Sequence, residues 1–179
     1  MFGDREGVEV RIQIPPGTER RLRKTLNEID PKLRRHLSAE LRSGLASTAQ
    51  KVADRAAANA SYGGTNAPMS GMIPRWGNLG AKIRTYPAGR PGRAIATISV
   101  FGDDNAFNRI LAITERAGSV TRGLTPQGRT MTRVLQDRQP LVGRGGRFIW
   151  KAWLKFRPEA IAIAIQSIEK FVATYNKGQ

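Results

Sequence analysis

DPKLRRHLSAELRSGLASTAQKVADRAAANA, Asp30 to Ala60, is the stretch on which the reading of the fold turns. Asp30 stands where an N-cap is wanted and Pro31 at the first helical position, where its missing N–H costs nothing. Leu33, Leu37, Leu41 and Leu45 recur every fourth residue, a row that creeps round a helix by about 40° per step. Ala49, Val52 and Ala56 continue from where Leu45 has arrived. The spacing predicts one continuous helix of about 43 Å, at 1.5 Å per residue.

The two halves of that helix differ in bulk. Its first half offers leucine knobs, and its second half (Ala46, Ala49, Ala53, Ala56, Ala57, Ala58, Ala60) is small enough for another backbone to come close. Lys32, His36, Ser43, Gln50 and Asp54 gather on the opposite side, the expected wet face. A helix of this pattern is first of all a core scaffold.

Working outward toward the N-terminus, Val8, Val10, Ile12 and Ile14 alternate with Glu9, Arg11 and Gln13, the period of a half-buried strand. Pro15-Pro16-Gly17 is expected to end it. A short basic helix follows over 19–29, with Thr18 as cap and Leu22, Leu26 and Ile29 on one face. Toward the C-terminus, 61–78 is rich in Gly, Pro and Asn, and is long for a connection inside a compact domain. Two strands, 79–86 and 93–101, then read as an antiparallel hairpin. A helix is expected over 105–117 from Phe107, Ile110, Leu111 and Thr114, capped by Asp103 or Asp104.

The segment 118–147 holds six arginines (Arg122, Arg129, Arg133, Arg138, Arg144, Arg147), six glycines, two prolines and one acid, Asp137. It reads as an extended basic arm with room for a short hairpin around Gly128. These arginines are the candidate contacts to a DNA channel or to an acidic partner. FIWKAWLKF, 148–156, fits either a strand or a helical turn leading to Pro158. From Pro158 to Tyr175, Ile161, Ala164, Ile165, Ile168, Phe171, Val172 and Tyr175 share one helical stripe. Ile163 lies off that stripe, and with Trp150 and Trp153 it is a candidate subunit contact.

The whole is expected to be a single α+β domain of 179 residues with extended loops at 61–78 and 118–147. Lys and Arg number 30 against 14 Asp and Glu, a formal charge of +16, which favours a polyanionic neighbour or an acidic protein surface. There is no cysteine, so thiol nucleophiles, disulfides and Cys-based zinc sites are excluded. One histidine, His36, cannot build a catalytic triad or a two-histidine metal site within a chain. Asp103, Asp104 and Glu115 are the nearest approach to a carboxylate cluster for Mg²⁺, but helix capping explains the first two as well. Gly143 to Arg147 lacks the phosphate-loop spacing. No cofactor is expected. With no apolar run of membrane-spanning length and no signal-peptide core at the N-terminus, an aqueous compartment is expected.

The order of these features, namely the alanine-rich helix ending at Ala56–Ala60, a Pro/Gly loop, Gly77-Asn78-Leu79 to Ile83, a hairpin, Ile110 to Gly118 with Glu115-x-x-Gly118, and an aromatic segment with a terminal helix, resembles the tail-component family of tailed bacteriophages. That family comprises tail-completion and head-to-tail joining proteins of the neck. The resemblance covers roughly 33–175. It departs from the family pattern in that Asn59-Ala60 is followed by Ser61, a long insertion precedes Gly77, and the basic arm is long. It implies a long helix packed across an antiparallel sheet, no enzymatic activity, and a homo-oligomeric ring of six in the virion after assembly in the host cytoplasm. The other neck and tail proteins would be its partners, with no membrane involved. The competing expectation is a cytoplasmic nucleic-acid-binding protein, motivated by the charge and the arginine arm.

Overall fold

The computed structural model describes residues 8–28, 31–61, 79–87, 94–102, 105–116, 125–138, 140–142 and 146–177. The elements are β1 (Val8–Ile12), α1 (Pro16–Glu28), α2 (Pro31–Ser61), β2 (Gly80–Thr85), β3 (Ala96–Phe101), α3 (Asn105–Arg116), α4 (Pro126–Arg138) and α5 (Ile149–Lys177). The fold is α+β, mostly helical, with a three-stranded antiparallel sheet in the order β1-β3-β2. The expected 61–78 loop lies, apart from Ser61, outside the described residues, as do the expected caps Asp30, Asp103 and Asp104.

The chain packs as two compact units, each discontinuous in sequence. One comprises 9–49, 82–99 and 156–179, and its core is built from large aliphatics. Alternation sets the β1 strand, with Val8, Val10 and Ile12 buried and Glu9 and Arg11 exposed. Register is fixed by the Ile95 N–H donating to Ile12 O at 3.0 Å and the Tyr86 N–H to Ile95 O at 2.6 Å, so β3 is the central strand. Its residues Ala96 to Val100 are all buried. Also buried in this unit are Leu22 and Leu26 of α1, Leu37, Leu41 and Leu45 of α2, and Ala160, Ala164, Ile168 and Phe171 of α5.

Helix α1 starts earlier than its sequence suggested. Pro16 takes the first helical position and Pro15 O accepts the Glu19 N–H at 3.0 Å, so the Pro-Pro-Gly that ends the strand also begins the helix. Leu33, the first of the leucine row, is 39% exposed; the buried row begins at Leu37. Within this unit α2 and α5 approach closely at Gly44, where an added Cβ would lie 3.1 Å from Ile163 Cγ2 and 3.4 Å from Ser167 Oγ. Thr48 Oγ1 donates to Glu159 Oε1 at 3.0 Å one turn further along α2.

The other unit comprises 1–8, 50–81 and 100–155. Here the small residues of α2 come into use: Val52, Ala53, Ala56 and Ala57 are buried, together with Leu111 of α3, Leu135 of α4, and Ile149, Ala152 and Trp153 of α5. Ala46 and Ala58, expected on the packing face, are exposed.

Two expectations are corrected. The basic segment is not simply an extended arm, because 126–138 is helix α4. Thr125 caps it, its Oγ1 accepting the Gly128 N–H at 3.1 Å, with Pro126 at the first helical position. Gly128 therefore lies in a helix, not a hairpin. The aromatic segment 148–156 is neither a strand nor a separate turn, because α5 runs unbroken from Ile149 through Pro158. Leu154 and Pro158 both lie on the exposed face, where water can serve the carbonyl that the proline leaves without a donor.

Candidate functional site

The described residues concentrate their buried polar chemistry at the start of α5. No Ser, Thr, Asp or Asn precedes Ile149, so the first N–H groups of this helix have no cap from their own neighbourhood. Glu115, in the last turn of α3, supplies it from a distance. Its Oε2 accepts the N–H of Phe148 at 2.9 Å and of Ile149 at 3.2 Å, and its Oε1 accepts the N–H of Trp150 at 2.9 Å. The carboxyl group meets the positive end of the helix dipole as well as three otherwise orphaned donors. Both oxygens accept and neither donates, the bonding of an ionised carboxylate.

Burial holds the pKa of this carboxyl above the ordinary carboxylate value, and the N–H groups of Trp150, Phe148, Ile149 and Arg147 offset only part of that rise. Glu115 is completely buried, and Arg147, 2% exposed, lies beside it. The arginine Nη1 donates to Thr114 O at 3.1 Å and Nη2 to Gln136 Oε1 at 3.2 Å, so one guanidinium ties α3 to α4. Its Nε has no hydrogen-bond partner among the described residues. Burial lowers the Arg147 pKa, and the charge of Glu115 opposes that shift.

Gly146 completes the junction. Its φ of +157° is one that L side chains rarely adopt, and a Cβ added there would fall on the Glu115 carboxylate, 2.7 Å from Cδ. Its carbonyl accepts the Val142 N–H at 2.9 Å, a bridge that turns the chain into α5. Asn59, near the end of α2, adds a 3.1 Å bond from Nδ2 to Phe148 O. At the other end of α3 the buried Asn108 Oδ1 accepts the Gly102 N–H at 2.7 Å. Chemically this is a fastening, since every oxygen of Glu115 is occupied by backbone.

The expected site residues separate accordingly. Arg129 and Arg133 are exposed one turn apart on α4. Arg147 faces inward, so its guanidinium is not offered to DNA or to a partner, a correction to the arm of six equivalent arginines. Arg138 belongs to the last turn of α4, though its side chain lies outside the described residues, as do Arg122 and Arg144. Trp153, 1% exposed, is part of the chain's own core, and Trp150 is half-buried. Ile163 is half-buried and packs against Gly44 within the chain. His36 is exposed. Glu115 cannot serve the considered Mg²⁺ cluster, and among the described residues there is no group of three or more His, Cys, Asp or Glu able to hold a metal ion. Among them, too, no helix is long and apolar enough to cross a membrane.

Sequence reasoning gave Gly146, Gln136 and Asn59 no part in such a junction, and weighed Glu115 only as a motif position and as a member of a carboxylate cluster. No local signal pointed to the junction, since the aromatic run fits strand and helix alike and its cap comes from another helix. No family model, curated protein or solved structure matches the chain at a significant level.

Proposed function

We propose that this chain is a structural virion protein of a tailed bacteriophage, a tail-completion or head-to-tail joining component of the neck that assembles into a ring through which DNA passes. The supporting observation is the role of Glu115. Glu115-x-x-Gly118, one of the features on which the resemblance rests, contains a carboxylate that fastens α3 to the start of α5. The order of long helix, antiparallel strand pair, short helix and terminal helix also supports it, with α4 standing where the resemblance implied an arm. No catalysis is assigned. A ring of six copies follows from the resemblance only.

Mass spectrometry of purified virions tests the proposal: the protein is expected in the particle at a stoichiometry of several copies. Its absence from particles, with abundant protein left in the cell, would exclude the reading.

A second reading, a nucleic-acid-binding protein, is favoured by the exposed Arg129 and Arg133 on α4 and by the net charge of +16. Phosphate contacts from those two arginines would add a slope of about 0.9 each to the salt dependence of duplex binding. Fluorescence anisotropy with a DNA duplex, comparing the parent with an Arg129→Gln, Arg133→Gln variant, measures that slope.

A further inference from the structure

The sheet has two unlike faces. Val10 and Ile12 of β1 and Ile98 of β3 are buried on one of them. The other is polar and is defined by two contacts: Ser99 Oγ donates to Glu9 Oε1 at 3.2 Å, and Arg84 Nη1 stands 3.9 Å from the same oxygen. Strand alternation then adds Arg11 to Glu9, Lys82 and Tyr86 to Arg84, and Thr97 to Ser99. All of these residues belong to the unit of 9–49, 82–99 and 156–179. Glu9 is on β1 and Arg84 on β2, so their ion pair reaches over the central strand, a span of about 10 Å at the usual strand spacing. It holds a guanidinium over the middle of the sheet, on a side chain 37% exposed. Arg11, Lys82 and Tyr86 are exposed around it, the tyrosine at 43%. Thr97 is 5% exposed, and its Oγ1 has no hydrogen-bond partner among the described residues. A solvated sheet face accounts for cations on its outer strands. It does not account for a buried hydroxyl left without a partner, which costs stability, or for a large exposed aromatic in line with the cations.

We infer that this face is a platform for single-stranded nucleic acid, with Arg11, Lys82 and Arg84 on its phosphates and Tyr86 stacked on a base. The Thr97 hydroxyl gains its partner from the strand when Arg84 turns to a phosphate. Cations interleaved with an exposed aromatic suit a single strand, because its bases offer π-faces that a duplex keeps stacked inside. An acidic protein surface would use the cations and leave Tyr86 and Thr97 without a role. The inference rests on the nucleic-acid reading for its class of partner, but it places the contact on the sheet and not on α4. It does not require the virion reading.

The probe is a short labelled oligothymidylate, titrated with the full chain and followed by fluorescence anisotropy. A DNA duplex of the same length and a polyglutamate of equal charge serve as comparisons. Tyr86→Ala should weaken single-strand binding at least about tenfold, with Tyr86→Phe close to the parent, as stacking requires. Arg11→Gln and Lys82→Gln should each lower the salt slope of binding by about 0.7, the value for one phosphate of a single strand. Thr97→Val removes a hydroxyl that has no partner, so it should keep or raise the thermal unfolding temperature while weakening binding. Absence of single-strand binding overturns the inference, as does equal affinity for the duplex or the polyglutamate, or parental affinity in Tyr86→Ala. If the Arg129→Gln, Arg133→Gln variant loses duplex binding while Tyr86→Ala loses nothing, the contact is on α4. In that case the nucleic-acid reading stands and this inference fails, so the two are separable.

Discussion

Helix α5 is held in two different ways in the two units. At its start, a single carboxylate and a buried arginine satisfy backbone donors and carbonyls, and the fit depends on which atom donates and which accepts. Further along, at Gly44, the hold is steric, with the branched end of Ile163 resting where a side chain would otherwise be. The polar fastening has almost no tolerance for isosteres, because a swapped donor faces another donor in a dry place. The steric one is tolerant, since neighbours can shift by tenths of an ångström and hydrophobic contact does not depend on orientation.

Glu115→Ala should therefore be the most damaging single change, costing about 3 to 5 kcal/mol, because it strands three N–H groups and leaves Arg147 buried without its counter-charge. Glu115→Gln keeps the shape but points an amide donor at backbone donors, and should recover less than half of that loss. Denaturant unfolding of the three proteins measures both. If glutamine restored most of the stability, the polar fastening would be steric too, and the contrast would disappear.

Leu41→Ala and Ile168→Ala, at side chains 0% and 1% exposed, should each cost about 2 to 5 kcal/mol, the usual range for emptying a core site. Gly146→Ala should cost about 1 to 3 kcal/mol through overpacking on the carboxylate. Its cost should shrink when Glu115→Ala is already present, a non-additivity that a double-mutant cycle reads directly. Additive losses would mean that the clash is not what glycine avoids there.

The smallest effect is expected at the steric seam. Gly44→Ala gains about 1 kcal/mol of helix propensity and meets Ile163 at a contact that needs a shift of only tenths of an ångström. The net change should stay within about 1 kcal/mol. Thermal unfolding is sufficient to test it, and a loss of core size would make the two regions alike.

Much of the scaffold was legible because local pattern and tertiary packing agree. The β1 alternation, the buried Leu37, Leu41 and Leu45 and the switch to alanine in α2 each follow from period and size. Helix α4 was legible in principle, since Thr125-Pro126 is a proper start, but the arginine and glycine content outweighed it. The beginning of α5 was not legible by local rules at all. Its cap comes from another helix, and Pro158 invited a helix start nine residues too late. Arg147 could not be distinguished from Arg129 or Arg133, because only the position of Glu115 in space decides which arginine turns inward.

The sheet order has a consequence for how the protein is made. Strand β1 emerges from the ribosome well before its partner β3, and the two are separated by α1, α2 and β2. Until Phe101 has been synthesised, Val8, Val10 and Ile12 have no strand to pair with, while two helices can already form beside them. Such a pairing of distant segments is slow, and the waiting edge is open to other chains in the meantime. Refolding yield should accordingly fall with protein concentration, as recovery of native protein over a concentration series measures.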